Sequence, residues 1–186
     1  MKKNFVSILI TNYNKSGYLN RSINSCLKQN FNNKEILVFD DCSTDDSLKI
    51  LNKFKKIKII KNKKKKFKSG PLNQIYGIHK LFQISKGNII FLLDSDDIFK
   101  KNKLFEINKI FKKNEKIDFI QDTPINSFLK KKMSLKKKNH SFSIWPSFFP
   151  TSCIAFKRKF FDNFLKVLKK NKFSNLEIDA RLSIYA

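Results

Sequence analysis

Four short apolar runs, separated by segments of different periodicity, dominate the first half of the chain. The runs cover residues 5–11, 35–39, 57–60 and 88–93. Nearly continuous β-branched and apolar runs of this length are typical of strands that are buried on both faces of a parallel sheet. Helical spacing of apolar residues follows the first run at 18–29 and precedes the fourth at 72–85. This alternation predicts right-handed βαβ units, and therefore an α/β fold with a mostly parallel sheet flanked by helices.

The second half of the chain has a less regular pattern. We expect a helix over 103–112, a short strand near 118–121, a strand over 151–157, and helices over 160–168 and 176–185. A lysine-rich insertion covers residues 130–139. With 186 residues, the chain has room for one domain with a proper core but not for two. Because it stops directly after the last expected helix, we interpret it as a truncated or minimal version of a longer domain.

Positive charge is the main compositional feature, since 40 Lys and Arg residues against 15 Asp and Glu residues give a net charge of +25. Such a charge attracts phosphates of nucleotides, RNA or anionic lipids. The 41% hydrophobic and 13% aromatic content indicates a folded protein. No apolar run approaches the roughly 20 residues that span a bilayer. Cys26, Cys42 and Cys153 form no CxxC pair, which indicates reduced thiols in a cytoplasmic protein.

The scarce acidic residues gather directly after two of the expected strands. The two groups are Asp40, Asp41, Asp45 and Asp46 after the second strand, and Asp94, Asp96 and Asp97 after the fourth. In an open α/β sheet, ligands bind at the carboxyl ends of the strands, where the strand order reverses. With the strand order 3-2-1-4, both groups converge on the end of the first strand, at residues 11–13.

Carboxylates held close together repel each other, so such a cluster is best explained by a bound cation. Mg²⁺ or Mn²⁺ suits oxygen ligands from one or two carboxylates and a diphosphate. The competing interpretation is that the acids only cap helices. That interpretation suits residues 43–46, which read as a capping box for a helix with Leu48, Leu51 and Phe54 facing inward.

Three motifs occur in an order that resembles a known family. Residues 6–29 read VSILITNYNKSGYLNRSINSCLKQ, residues 35–47 read EILVFDDCSTDDS, and residues 86–97 read KGNIIFLLDSDD. Together they resemble glycosyltransferase family 2, the nucleotide-diphospho-sugar transferases of the GT-A fold, and they are more specific than a DxD motif alone. The resemblance implies one GT-A (Rossmann-like) domain over 1–186. Its nucleotide-sugar-binding half, where the resemblance is strong, covers 5–105, and its acceptor half covers 106–186.

The same resemblance implies roles for individual residues. The implied nucleotide-sugar contacts are Thr11, Asn12, Tyr13, Asp40, Asp41, Asp94 and Ser95. Asp94 and Asp96 would be the DxD pair that holds Mg²⁺ or Mn²⁺, with Asp97 as a further ligand. The catalytic base would lie in SNLEIDARL, residues 174–182, where Asp179 is the first candidate and Glu177 the second.

One departure concerns the Ala-Arg-Asn element of the family. This chain has Pro-Leu-Asn-Gln at 71–74 instead, so the arginine contact to the diphosphate has no direct counterpart. Lys68 or a neighbour is a candidate to replace it.

The implied reaction is transfer of a sugar, with inversion, from a nucleotide diphosphate to an acceptor hydroxyl, in the synthesis of a cell-envelope polysaccharide, lipopolysaccharide or other glycoconjugate. The expected partners are the nucleotide-sugar donor and a glycan or lipid-linked acceptor. We also expect peripheral contact with the anionic inner face of the membrane, and no nucleic acid.

Two other functions fit part of the sequence. A basic binding module would hold RNA or anionic membrane through the lysine runs at 61–68 and 130–138, with steep salt dependence. The runs contain few aromatic stacking residues, and such a module has no use for paired acidic clusters. A phospho-receiver domain would need its acid pair after the first strand, where Thr11 and Asn12 stand.

Overall fold

The computed structural model of the protein describes residues 4–126, 131–132, 149–168 and 176–186. Its strands are β1 (Val6–Asn12), β2 (Lys34–Asp40), β3 (Lys58–Lys61), β4 (Ile89–Asp94), β5 (Phe119–Gln121), β6 (Ile125–Asn126), β7 (Lys131–Lys132) and β8 (Ile154–Lys157). Its α-helices are α1 (Ser16–Leu27), α2 (Ser47–Leu51), α3 (Gly70–Ile84), α4 (Lys103–Lys113), α5 (Arg158–Leu168) and α6 (Ile178–Tyr185).

Six of these strands form one sheet in the order β3-β2-β1-β4-β8-β5. β1 pairs in parallel with β2 and β4, and β2 pairs in parallel with β3. β8 runs antiparallel to both β4 and β5. The predicted order 3-2-1-4 and the mostly parallel α/β sheet are therefore confirmed.

The sheet separates two hydrophobic cores because alternate strand residues point to opposite faces. Ile8 and Ile10 of β1 pack on one face with residues of α1, α2 and α4, whereas Leu9 packs on the other face with residues of α3, α5 and α6. Burying one Ile or Leu side chain contributes about 1.5–3 kcal/mol. The continuous apolar runs reflect this burial on both sides, and they hold the strand ends at one rigid edge.

The connection from α3 to β4 requires glycine at position 87. Its N–H donates to the Ser7 hydroxyl at 2.8 Å, and a Cβ at this position would collide with the Ser7 backbone nitrogen. The helical pattern at 72–85 corresponds to α3, which ends at Ile84. Gly87 is needed because of this close approach to β1 and not because of its backbone conformation. No described glycine has a positive φ.

The predicted capping box at 43–46 is wrong in its details. α2 has only five residues, and its N-cap residue Asp46 makes no side-chain capping bond. Asp45 instead accepts hydrogen bonds from the Ser47 and Ser16 N–H groups, both at 2.9 Å. Burial alone would raise the pKa of Asp45, but hydrogen bonds from Ser47 and Ser16 lower it to about 2. Asp45 thus joins the starts of two helices.

The late elements follow the predictions with one difference. The segment predicted as a strand over 151–157 begins as a turn of 3₁₀ helix at Thr151–Cys153, and only Ile154–Lys157 is strand. Of the lysine-rich insertion at 130–139, only Lys131–Lys132 is described, as β7 paired with β6. The other residues of that insertion lie outside the described residues.

The three cysteines are free thiols. Cys26 and Cys153 are buried, and this burial raises the pKa of each thiol to about 12. Both are therefore poor nucleophiles at neutral pH. Within the described ranges, none of the helices is both long enough and apolar enough to cross a membrane.

Candidate active site

The polar residues that were predicted to converge do lie at one edge of the sheet. Asn12 and Asp40 occupy neighbouring positions at the ends of β1 and β2. On the other side of β1, Thr11 is the register partner of Asp94 at the end of β4. The parallel register therefore brings both acidic groups to either side of the first strand.

Asp40 and Asn12 form the buried base of this edge. The Asn12 amide donates to Asp40 Oδ2 at 2.8 Å, and the Ser43 N–H donates to Asp40 Oδ1 at 3.0 Å. Asp40 is only 1% exposed and Asn12 only 3%. Their side chains hold two turns together, and direct contact of either residue with a nucleotide stays a prediction.

Asp41 lies closer to the surface and is oriented by Asn62. The Asn62 amide donates to Asp41 Oδ1 at 2.7 Å, and the Asp41 N–H donates to the Asn12 carbonyl at 2.8 Å. The Asn62 N–H donates to the Asp40 carbonyl at 2.8 Å. The segment after β3 is thereby attached to the end of β2, next to the predicted nucleotide contact.

The turns after β1 and β2 contain the described non-glycine residues with positive φ, Asn14 at 50° and Cys42 at 60°. Such residues are uncommon and cluster at functional sites, where the surrounding structure holds them. The Thr44 N–H donates to Asn14 Oδ1 at 2.8 Å, and the Asn14 N–H donates to the Ser43 hydroxyl at 3.0 Å. The two turns therefore hold each other in place.

Tyr13 presents an aromatic face at this edge, and the loop that contains the lysine run at 61–68 reaches it. Tyr13 is 44% exposed, and Lys65 Nζ lies 3.3 Å from the centroid of its ring. The end of the loop is anchored because the Phe67 N–H donates to Asn73 Oδ1, and the Asn73 amide donates to the Phe67 carbonyl, both at 2.9 Å. This part of the lysine run is folded against the candidate site.

Asp94 is held from both sides. The Gln74 amide donates to Asp94 Oδ1 at 2.8 Å, and the Asp94 N–H donates to the Ser152 hydroxyl at 2.9 Å. Burial raises the pKa of Asp94 to about 7, and the negative charges of Asp97, Asp96 and Asp179 add to this shift. A cation near this carboxylate would offset both effects.

The other residues of the motif have different environments. Asp96 Oδ2 pairs with Lys15 Nζ at 2.7 Å, and this ion pair raises the pKa of Lys15. The Asp97 N–H donates to the Asp94 carbonyl at 3.0 Å and closes the turn, whereas Ser95 is buried.

Among the residues that the structure describes, no three Asp, Glu, His or Cys side chains converge well enough to hold a metal ion by themselves. Mg²⁺ sites usually combine one or two carboxylates with water and substrate phosphates. The hard oxygen donors of Asp94 and Asp96 fit such a site.

The late acids lie on α6, which packs on the α3 side of the sheet. Asp179 stands in the first turn of α6, and its charge contributes to the raised pKa of Asp94. Burial also raises the pKa of Asp179 itself, with a further contribution from Glu177. Glu177 occupies the N-cap position and is exposed. Of the two predicted base candidates, Asp179 is the one that interacts with the motif.

A cavity of about 790 Å³ borders Asp96 and Asp97 on the side of α1 and α4. Arg21, Phe99 and Pro150 contribute to its lining. Inside it, Lys103 Nζ pairs with Asp122 Oδ1 at 2.7 Å and donates to the Ser152 carbonyl at 2.9 Å. This cavity is large enough for a sugar residue and lies directly beside the motif.

Several residues of the site were not found from the sequence. Gln74 belongs to the segment where we expected no counterpart to the family arginine, and it binds Asp94 directly. Ser152 belongs to no recognised motif. Asn62 follows the third strand, and no acidic residue near it in the sequence marked it as part of a site. Lys15 is one of 40 Lys and Arg residues, so the sequence does not distinguish it from the other basic residues.

Solved structures with the same architecture define the fold. S. aureus TarS 1–349 in complex with UDP-GlcNAc superposes with a TM-score of 0.70 at 19% identity, covering 98% of this chain and 53% of that one. The mannosyltransferase PcManGT from Pyrobaculum calidifontis, in complex with GDP-Man and Mn²⁺, gives a TM-score of 0.65 at 13% identity, covering 87% and 47%. The fold is that of GT-A glycosyltransferases.

The sequence match is more specific than the fold. The family model of glycosyl transferase family 2 matches residues 7–174, and the chain therefore belongs to this family. The match extends well past residue 105, where the resemblance of the motifs becomes faint. A relative from Escherichia coli, the UDP-Glc:alpha-D-GlcNAc-diphosphoundecaprenol beta-1,3-glucosyltransferase WfaP, is 38% identical over 117 residues, which cover 61% of this chain and 43% of that protein. The chain spans about two fifths of the length of this relative.

Proposed function

We propose that the protein is a metal-dependent glycosyltransferase that moves a sugar from a nucleotide diphosphate to an acceptor hydroxyl with inversion. The observation that carries this proposal is the cluster of Asp94, Asp96 and Asp97 at the carboxyl end of β4, where Asp94 lies beside β1 and is held by Gln74. Burial and the neighbouring carboxylates raise the pKa of Asp94 to about 7. Carboxyl groups with strongly shifted pKa values, at the edge of an α/β sheet, are typical of a functional site. Membership of the family supports the same conclusion.

The donor nucleotide would bind on the β1–β2 side of the edge. Tyr13 offers an exposed ring for stacking, and Asp41 offers a carboxylate that Asn62 already orients. The exposed lysines of the loop at 61–68 add positive charge where an anionic ligand enters. Both TarS and PcManGT were solved with a nucleotide sugar bound, which supports this assignment.

Asp94 and Asp96 would hold Mg²⁺ or Mn²⁺, with Asp97 as a further candidate. When bound, the metal offsets the negative charge that develops on the leaving diphosphate. Gln74 and Ser152 keep Asp94 in position through its side chain and its backbone N–H. The Mn²⁺ in the PcManGT complex is a precedent within the same fold.

Asp179 would accept the proton of the attacking hydroxyl. A general base works best with a pKa near the working pH, and burial shifts the pKa of Asp179 upward in that direction. Glu177 is the weaker candidate because it is exposed.

The acceptor would be a glycan or a lipid-linked sugar of the cell envelope. WfaP acts on a diphosphoundecaprenol-linked sugar, and a Staphylococcus aureus relative that is 30% identical over 100 residues is a poly(ribitol-phosphate) beta-N-acetylglucosaminyltransferase. We place the protein in the cytoplasm, with peripheral contact of its lysine-rich surface to the membrane. The attachment of the loop at 61–68 to Tyr13 and Asp41 favours an enzyme over a basic binding module.

Calorimetry with UDP, GDP, dTDP and CDP, each with and without Mn²⁺, tests the proposal. Mn²⁺ should tighten binding of one of these nucleotides, and Asp96→Ala should remove this effect without unfolding the protein. Asp162→Ala is the matched control, because Asp162 is an exposed acid on α5. This helix follows the end of β8, which pairs with the start of β4, whereas Asp94 is at the other end of β4. If the nucleotide affinity of the wild-type protein is the same with and without Mn²⁺, metal dependence is refuted.

A further inference from the structure

Lys15 is the positively charged partner of the DxD motif. Its Nζ lies 2.7 Å from Asp96 Oδ2, and this is the ion pair that the described structure contains at Asp94, Asp96 or Asp97. Lys15 stands at the N-cap position of α1, three residues after the end of β1. It therefore reaches the motif from the turn that separates the β2 side of the edge from the β4 side.

The two carboxylates of the DxD pair have different partners. Asp94 accepts a hydrogen bond from the neutral amide of Gln74, whereas Asp96 is bound by the ammonium group of Lys15. A divalent cation that used Asp96 would need a carboxylate oxygen from this pair. The ammonium group and the metal would also repel each other across a few ångströms.

The Lys15–Asp96 pair is easy to open. The side chains of Lys15 and Asp96 are 44% and 38% exposed, and exposed ion pairs contribute little to stability. Lysine has a long flexible stem and a compact charge with three donors, so its ammonium group can turn to new oxygen acceptors without moving the backbone. The diphosphate of a donor that binds to a metal on Asp96 would bring such acceptors next to Lys15.

We propose that Lys15 is an exchangeable counter-ion of the site: it neutralises Asp96 until a divalent cation takes that carboxylate, and then it binds the diphosphate of the donor. This inference rests on the proposed function and adds a residue that selects for the metal–nucleotide pair. A metal alone competes with Lys15 for Asp96. A metal that arrives with a diphosphate gives the displaced ammonium group a new partner.

Lys15→Met tests this inference because it predicts two effects of opposite sign. By electron paramagnetic resonance, Mn²⁺ alone should bind about threefold to tenfold tighter to Lys15→Met than to the wild-type protein, since a competing charge is gone. By calorimetry at saturating Mn²⁺, UDP should bind about threefold to tenfold weaker, since a phosphate contact is lost. A residue that only supported the local structure would weaken both.

Lys28→Met is the matched control. Lys28 is exposed at the other end of α1, about 20 Å away at 1.5 Å per residue, and its loss removes the same charge. It should change neither affinity by more than about twofold, and thermal unfolding should show that both variants remain folded.

The outcomes separate this inference from the proposed function. If Mn²⁺ tightens UDP binding, Asp96→Ala removes this effect and Lys15→Met changes neither affinity, the proposed function stands and the role of Lys15 is refuted. Weaker binding of Mn²⁺ alone to Lys15→Met also refutes it. If the wild-type protein binds no Mn²⁺ with any of UDP, GDP, dTDP and CDP, both proposals fail.

Discussion

The two sides of the candidate site are built in different ways. On the β1–β2 side, the turns after neighbouring strands bind each other, as in the hydrogen bonds from Asn12 to Asp40 and from Thr44 to Asn14. On the β4 side, Asp94 depends on Gln74 of α3 and on Ser152, which precedes β8. The first side is complete once the first three strands and the loop at 61–68 are in place, whereas the second needs segments from most of the described chain.

This difference separates binding from catalysis. The β1–β2 side contains the proposed nucleotide contacts Tyr13 and Asp41, and it is nearly self-contained. The β4 side contains the proposed metal ligands and the proposed base, and it depends on long-range packing. Changes in the late part of the chain should therefore affect turnover before they affect nucleotide binding, and the substitutions below examine this expectation in order of decreasing effect.

Replacing Asp179 with Asn should have the largest effect. Removal of a general base lowers turnover by about 10²–10⁴-fold, whereas UDP binding in the presence of Mn²⁺ should stay near the wild-type value. The loss of a negative charge should also lower the pKa of Asp94, which carbon-detected NMR can follow. Turnover of the bound nucleotide sugar provides the rate.

Glu177→Gln is the control for Asp179→Asn, because Glu177 is a nearby acid that lies exposed at the N-cap of α6. It should retain most of the activity. Full activity in Asp179→Asn would show that Asp179 is not the base. The β4 side would then contain the proposed metal ligands but no proposed base.

Replacing Lys103 with Met should have the next largest effect, on stability. Lys103 is 9% exposed and joins Asp122 and the Ser152 carbonyl, so its loss leaves a partly buried carboxylate without its partner. We expect the free energy of unfolding in urea to fall by about 2 kcal/mol. Because Ser152 also holds Asp94, the effect of Mn²⁺ on UDP binding should decrease as well.

Lys101→Met serves as the comparison for Lys103→Met, since Lys101 is an exposed lysine two residues earlier. Equal unfolding free energies for the two variants would mean that the β4 side does not depend on the buried lysine.

Replacing Asp45 with Ala should have the smallest effect, because it removes only the joint between α1 and α2. Loss of hydrogen bonds of this capping type costs about 1 kcal/mol at pH 7. The pKa of Asp45 is about 2 in the folded protein, below the ordinary value of 3.8. Its stabilising contribution is therefore complete above about pH 4 and is lost as the pH falls through about 2.

Urea unfolding of wild type and Asp45→Ala at several pH values should show two curves that converge toward pH 2. Asp46→Ala provides the reference, since Asp46 makes no capping bond. A constant difference between wild type and Asp45→Ala down to pH 2 would contradict the assignment of Asp45 as a charged joint.

The sequence predicts the regular part of the molecule well, because the signals involved are local. Continuous apolar runs marked the four parallel strands, and the strand order placed Asp40 and Asp94 at one edge. The predictions were weaker where a residue acts across the structure. The 43–46 turn was interpreted as a cap for one helix, but Asp45 binds the start of α1 as well.

By itself, the sequence determined the α/β class, the strand order and the edge at which the acids gather, since periodicity and strand ends can be read residue by residue. Only the tertiary structure decided which partners these acids have. It selected Lys15 from a chain rich in lysine, brought Gln74 and Ser152 to Asp94, and placed Asp179 near enough to shift the pKa of Asp94. These contacts join residues far apart in the chain, and they follow from how α3, β8 and α6 pack on the sheet, which no local pattern encodes.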